Sequence, residues 1–140
     1  MHSVVKDFFL MIKKKIKKKY KYVILLQPTS PLRKYTDINN ACKLILENPD
    51  ADCLVTTCDF KKKDNKKKRM YTDLKYLSFI KNTKFKKACL RNGPAIIITK
   101  YRKISKFLIG GKILNLRMPI ERSLDINEFK DLKKMNNLIN

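Results

Sequence analysis

Three short apolar runs constrain this chain more than any other feature: YVILL (Tyr22–Leu26), DCLVTT (Asp52–Thr57) and AIIIT (Ala95–Thr99). Each is rich in β-branched residues and none alternates apolar with polar, so each reads as a strand covered on both faces. Between them lie segments of helical period. Val4, Val5, Phe8, Phe9, Ile12 and Ile16 recur at spacings of three and four, opposite a lysine-rich face. Ile38, Ala41, Cys42, Ile45 and Leu46 do the same between about Thr36 and Glu47. Helix, strand, helix, strand in this rhythm predicts an α/β fold with a mostly parallel sheet.

The remaining chain extends the pattern. Lys61–Arg69 has almost no apolar content and reads as a mobile loop or hairpin tip. Tyr71–Lys87, with scattered Tyr71, Tyr76, Phe79 and Phe85, reads as short antiparallel strands or as an arm on a second subunit. Asn92-Gly93-Pro94 leads into the third strong strand, a helix is expected over Lys100–Leu108, and Gly110-Gly111 turns the chain into a strand near Ile113–Leu116. A last helix is expected from about Glu128 to Ile139, with Phe129, Leu132, Met135 and Leu138 or Ile139 inward.

The 140 residues suffice for one domain with a real core, residues 60–90 or so forming a loop or dimerisation arm. No run of 18 apolar residues and no signal-peptide pattern occurs, so a soluble cytoplasmic protein is expected. The opening amphipathic helix could lie on a membrane, but a strand follows at once and favours a docked crossover helix. Cys42, Cys53, Cys58 and Cys89 lack paired spacing and neighbouring histidine, which argues for reduced thiols rather than zinc. The net charge of +22 raises nucleic acid as a partner. Yet 28 of the 34 basic residues are lysine, and the arginine forks that read bases and clamp phosphates are scarce. A background of solvated lysines is the plainer account.

Two stretches carry candidate chemistry. In open α/β sheets ligands bind beyond the carboxyl ends of strands, where QPTSPLR (Gln27–Arg33) falls, as does Arg91-Asn92-Gly93 if it borders the same crevice. Gln27 offers an amide, Thr29 and Ser30 offer hydroxyls, and Pro28 and Pro31 fix φ around them. A simple strand-to-helix capping turn is the alternative. In ERSLDIN (Glu121–Asn127), Asp125 and the Asn127 carbonyl oxygen suit Mg²⁺, a hard cation that takes oxygen ligands. Equally, Asp125 or Asn127 could cap the last helix, since Asp125 and Glu128 stand at capping-box spacing. His2 is the sole histidine, and no Ser-His or Cys-His nucleophilic pair presents itself; no catalytic residue is assigned.

Three segments in order, LLQPTSPLR with Asp37-Ile38 and Ala41 after it, RNGPAIIIT, and MPIERSLDINEFKDL, resemble the N-acylneuraminate cytidylyltransferases, the CMP-sialic acid synthetases. MPIERSLDIN is most similar to members that handle legionaminic or pseudaminic acid. The resemblance implies a Rossmann-like nucleotidyltransferase fold of the nucleotide-diphospho-sugar transferase type, a homodimer, Mg²⁺, and CTP with a nine-carbon sugar acid as substrates. The sugar's anomeric hydroxyl would attack the α-phosphate of CTP, giving the CMP-sugar and pyrophosphate. On this resemblance Gln27 falls on the sugar-contacting glutamine with Thr29 and Ser30 beside it. Arg91, directly before Asn92, lies near the carboxylate-binding arginine. Asp125 falls on the first metal-binding aspartate, and Asn127 stands where many members carry a second.

One family feature is missing from these residues. The first glycine is Gly93, so no glycine-rich phosphate loop precedes the opening helix. The expectation is therefore of an N-terminally truncated domain that holds the sugar-acid half of the site and depends on another chain or segment for the nucleotide half. The competing classes are a non-catalytic partner of a full-length synthetase and a basic nucleic-acid-binding protein, the latter marked by steep salt dependence.

Overall fold

A computed structural model describes residues 2–15, 20–59, 69–71, 76–79, 88–91 and 95–139. The opening helix α1 (His2–Lys15) leads to strand β1 (Tyr22–Leu25), helix α2 (Tyr35–Leu46) and strand β2 (Cys53–Asp59). Short strands β3 (Arg69–Tyr71), β4 (Ser78–Phe79) and β5 (Ala88–Arg91) follow, then β6 (Ile97–Lys100), β7 (Ile113–Arg117) and the last helix α3 (Phe129–Ile139).

The sheet is mixed rather than mostly parallel. β6 runs antiparallel to both β1 and β2, and only β2–β7 is a parallel pair. β1, β2 and β7 nevertheless point the same way, because β6 is wedged between two of them and reverses direction twice. The apolar runs cannot reveal this: a strand buried on both faces looks the same whichever way its neighbour runs. β5 continues along the edge of β2 beyond β6, and β3 and β4 extend it with antiparallel pairings, which realises the antiparallel reading of the 71–87 region where that region is described. Of the expected Lys61–Arg69 loop, Arg69 instead opens β3, and the rest, like the Asn92-Gly93-Pro94 turn, lies outside the described residues.

Both faces are covered along β2 and β6 but not along β1, where Val23 is buried while Ile24, and Leu26 just beyond it, stay exposed; among the described strands β1 pairs only with β6. Val23, Cys53, Val55, Ile97 and Ile113 form one core with Val5 and Phe9 of α1 packed against it. Leu54, Ile96, Ile98 and Leu114 point the other way, onto Ala41 and Ile45 of α2. α1 is thus docked on the sheet, with the Phe9 ring edge-on to Tyr101 at 5.7 Å, although Val4 and Phe8 of the expected apolar stripe are exposed because only the Val5–Phe9 side meets the core.

Two helical expectations fail. Lys100–Leu108 contains only a 3-10 turn, Tyr101–Lys103, followed by further turns; Ile104 and Leu108 still reach the core, so an apolar spacing of four was met without a helix. α3 forms where expected, but Phe129, Leu132 and Leu138 are exposed rather than inward. Gly111 makes its turn at φ 66°, and a Cβ there would stand 2.8 Å from the Cβ of Asp52.

Candidate functional site at the carboxyl rim of the sheet

β1, β2 and β7 deliver their carboxyl ends to one rim, and the candidate residues gather there. Beyond β1 the chain turns tightly: Ser30 N donates to Gln27 O at 3.3 Å, with Pro28 supplying the preset φ of the second turn position. This turn leaves Gln27 and Thr29 half-buried and Ser30 only 1% exposed. Among the described residues, no partner meets the buried Ser30 Oγ.

Arg33 anchors the turn. Its Nη1 donates to Gln27 O at 3.2 Å and to Ala95 O at 2.5 Å, tying the loop to the start of β6. Burial pulls the Arg33 pKa down while Asp37 nearby pushes it up. Asp37, in the first turn of α2, accepts from Lys34 N at 2.9 Å and closes the helix's amino end. Its two oxygens also take a fork from Arg122, Nη2 to Oδ1 at 2.6 Å and Nε to Oδ2 at 3.2 Å. Burial raises the Asp37 pKa, but the hydrogen bonds from Arg122 and the Lys34 amide, with the charge of Arg122, hold it below the ordinary carboxylate value.

The segment after β7 is bound to the loop a second time. Ile126 N donates to Thr29 O at 2.8 Å, so Ser30 and Asp125 flank a shared backbone contact. Asp125 does not cap α3. That task falls to Asp131, whose Oδ2 accepts from Asn127 N and Glu128 N, both at 3.2 Å. The Asn127 amide nitrogen instead donates to Asp125 Oδ2 at 3.1 Å. Asp125 Oδ1 is left buried with no partner among the described residues. A buried carboxylate oxygen without a donor costs free energy unless something cationic meets it.

Arg91 lies opposite Thr57 near the carboxyl end of β2. The next described pairing along that edge joins Val55 to Ile97. Between the two, Thr56 N donates to Ile96 O and Ile96 N to Thr56 Oγ1, each at 3.2 Å. Asn92 lies outside the described residues. Gln27, Thr29, Ser30, Asp125 and Asn127 are thus brought together, and the Arg91 backbone is at the same rim.

Arg33, Asp37 and Arg122, which build the site, lie in or beside the stretches quoted from sequence but were assigned no role there. A signal existed: in a chain with only six arginines, two stand in the two candidate stretches, where a planar fork and not a point charge is needed.

No cluster of three or more His, Cys, Asp or Glu side chains suited to a metal occurs among the described residues. Asp125 with the Asn127 amide oxygen is a minimal oxygen set, the kind Mg²⁺ accepts when phosphates complete its shell.

An α/β sheet with a set of polar groups gathered at its carboxyl rim is the general class that fold and site define. Among solved structures, that of CMP:2-keto-3-deoxy-manno-octonic acid synthetase complexed with CTP is similar, with TM-score 0.69 and 10% identity over 95% of this chain and 66% of that one. The two share a fold, and this chain spans about two thirds of that structure's length. The sequence matches no protein-family model and no curated protein. No described helix is long and apolar enough to cross a membrane.

Proposed function

We propose that this chain carries the sugar-acid and cation side of a cytidylyltransferase site that transfers CMP from CTP to a nonulosonic acid such as N-acylneuraminate, legionaminate or pseudaminate. The observation that carries the reading is the orphaned, buried Asp125 Oδ1 beside the Gln27–Ser30 turn. The fold's likeness to a synthetase for another 3-deoxy 2-keto sugar acid supports the general class.

In this reading Gln27 and Thr29 hydrogen-bond the sugar's hydroxyl and amide groups, and Arg91 meets its carboxylate. The buried Ser30 hydroxyl donates to the ligand instead of remaining unpaired. Asp125 and Asn127 would hold Mg²⁺, which neutralises phosphate charge as the leaving pyrophosphate forms. The anomeric oxygen forms its bond to the α-phosphorus, the bond from that phosphorus to the pyrophosphate oxygen breaks, and the hydroxyl proton is released. The glycines of this sequence are Gly93, Gly110 and Gly111, so the phosphate grip is to be supplied by residues outside it.

The test is binding and turnover with a panel of nine-carbon sugar acids and 2-keto-3-deoxy-manno-octonic acid. Saturation-transfer NMR should show a nine-carbon acid binding without CTP, weakened by Gln27→Ala, while CTP and Mg²⁺ added to the chain alone release no pyrophosphate. Absence of binding by every acid in the panel would overturn the reading.

A further inference from the structure

We infer that the Asp37–Arg122 ion pair is a positioning device that holds Asp125 in place for a divalent cation. This rests on the reading of Asp125 as the cation-holding carboxylate. Between the end of β7 at Arg117 and the start of α3 at Phe129 the chain has no strand pairing and only the 3-10 turn Ile120–Arg122. Its course is set by individual struts. Met118 N donates to Thr57 O at 2.7 Å; Arg122 grips Asp37; Ile126 N donates to Thr29 O at 2.8 Å. The last two bracket Asp125, one three residues before it and the other one residue after.

The Arg122 strut differs from the others in kind. Asp37 is 5% exposed and sits on a regular helix, so its oxygens are fixed in space by α2 and by the Lys34 amide. A guanidinium meeting both oxygens fixes the orientation of the donor residue as well as its distance. The pair also divides labour between two nearby carboxylates. Asp37 has its oxygens occupied by Arg122 and Lys34, whereas Asp125 Oδ1 has no donor among the described residues. Partners hydrogen-bonded to a metal-holding side chain typically change its metal affinity by about 10–100-fold when removed; Arg122 acts one step further back, through the backbone of residues 122–125, so the low end of that range is expected.

Two readouts test this on the whole chain. Mn²⁺ binding is followed by the loss of its free EPR signal, and local anchoring by hydrogen exchange at the Ile126 amide compared with amides of β2. Arg122→Met should weaken Mn²⁺ roughly tenfold and speed Ile126 exchange by a similar factor with β2 unchanged. Because that variant strands a buried carboxylate and could unfold, the double variant Asp37→Asn with Arg122→Met removes both charges. It should keep the native circular dichroism and show the same two losses. Mn²⁺ affinity within twofold of wild type in the folded double variant, with Ile126 still protected, overturns the inference. A wild-type chain that binds no Mn²⁺ overturns the cation reading instead, and the exchange of Ile126 still decides whether Arg122 holds the segment.

Discussion

Arg33 is the residue whose loss should most directly separate the loop from the sheet. Replacing it by Met keeps the stem and removes the guanidinium. A hydrogen bond from a charged donor contributes about 1.5–3 kcal/mol, and the short one to Ala95 O belongs in that range because Ala95 is fully buried. The bond to Gln27 O adds less, about 0.5–1 kcal/mol, since that carbonyl also accepts from Ser30 N. Together Arg33→Met should cost about 2–4 kcal/mol. With a urea m-value of about 2 kcal/mol/M, the unfolding midpoint should fall by ~1–2 M at unchanged slope. Arg33→Lys, a point charge that satisfies one carbonyl well, should recover about half. The reasoning fails if Arg33→Met unfolds within about 0.5 kcal/mol of wild type at the same m-value.

Two further outcomes concern ionisation. Asp52 is pushed up by burial, but the Lys112 amide at 3.2 Å and the charges of Lys103 and Lys100 bring it below the ordinary carboxylate value. A depressed folded pKa gives stability that is present above the unfolded value of about 4 and lost as pH falls through the folded one. Thermal melts should therefore decline below about pH 4, and Asp52→Asn should flatten that decline. Tyr76 donates its hydroxyl to Asp50, and this hydrogen bond, followed by burial and the carboxylate's charge, pushes the phenol up to about 12. The contribution is present below the unfolded value of about 10 and lost as pH rises through about 12. Absorbance at 295 nm should show a late tyrosine transition near about pH 12, and Tyr76→Phe should remove it.

How far the sequence foretold this molecule depends on what kind of information each feature needs. The strands at Cys53 and Ile97 and the helices α1 and α2 were legible because burial on two faces and on one face write different local patterns; the Tyr22 strand was legible as a β-branched apolar run, but its exposed Ile24 and Leu26 were not. Direction was not, since antiparallel β6 uses the same side chains as a parallel strand would. The 101–108 segment misled because Ile104 and Leu108 sit four apart, a spacing that turns can also bury. α3 misled because a periodic stripe states which residues share a face but not whether this chain supplies anything to cover it. At the site, Gln27 and Ser30 stood out as polar residue types just after a strand, and Asp125 as a carboxylate just before a helix. That Asp125 does not cap α3 was not legible, because Asp131, six residues further along, reaches back to the helix start.

The struts of the rim also set a timetable for folding. Arg122 lies 85 positions from the Asp37 it grips, and Thr29 waits still longer for Ile126. Contacts so distant along the chain close late, since the entropy of the intervening loop is lost before they return any stabilisation. During synthesis the Gln27–Ser30 turn emerges long before the Arg122–Ile126 stretch that is tied to it. Refolding monitored at this rim should trail the assembly of β1, β2 and β6, and a fault in the Arg122–Ile126 stretch would spoil the site while leaving the sheet behind it intact.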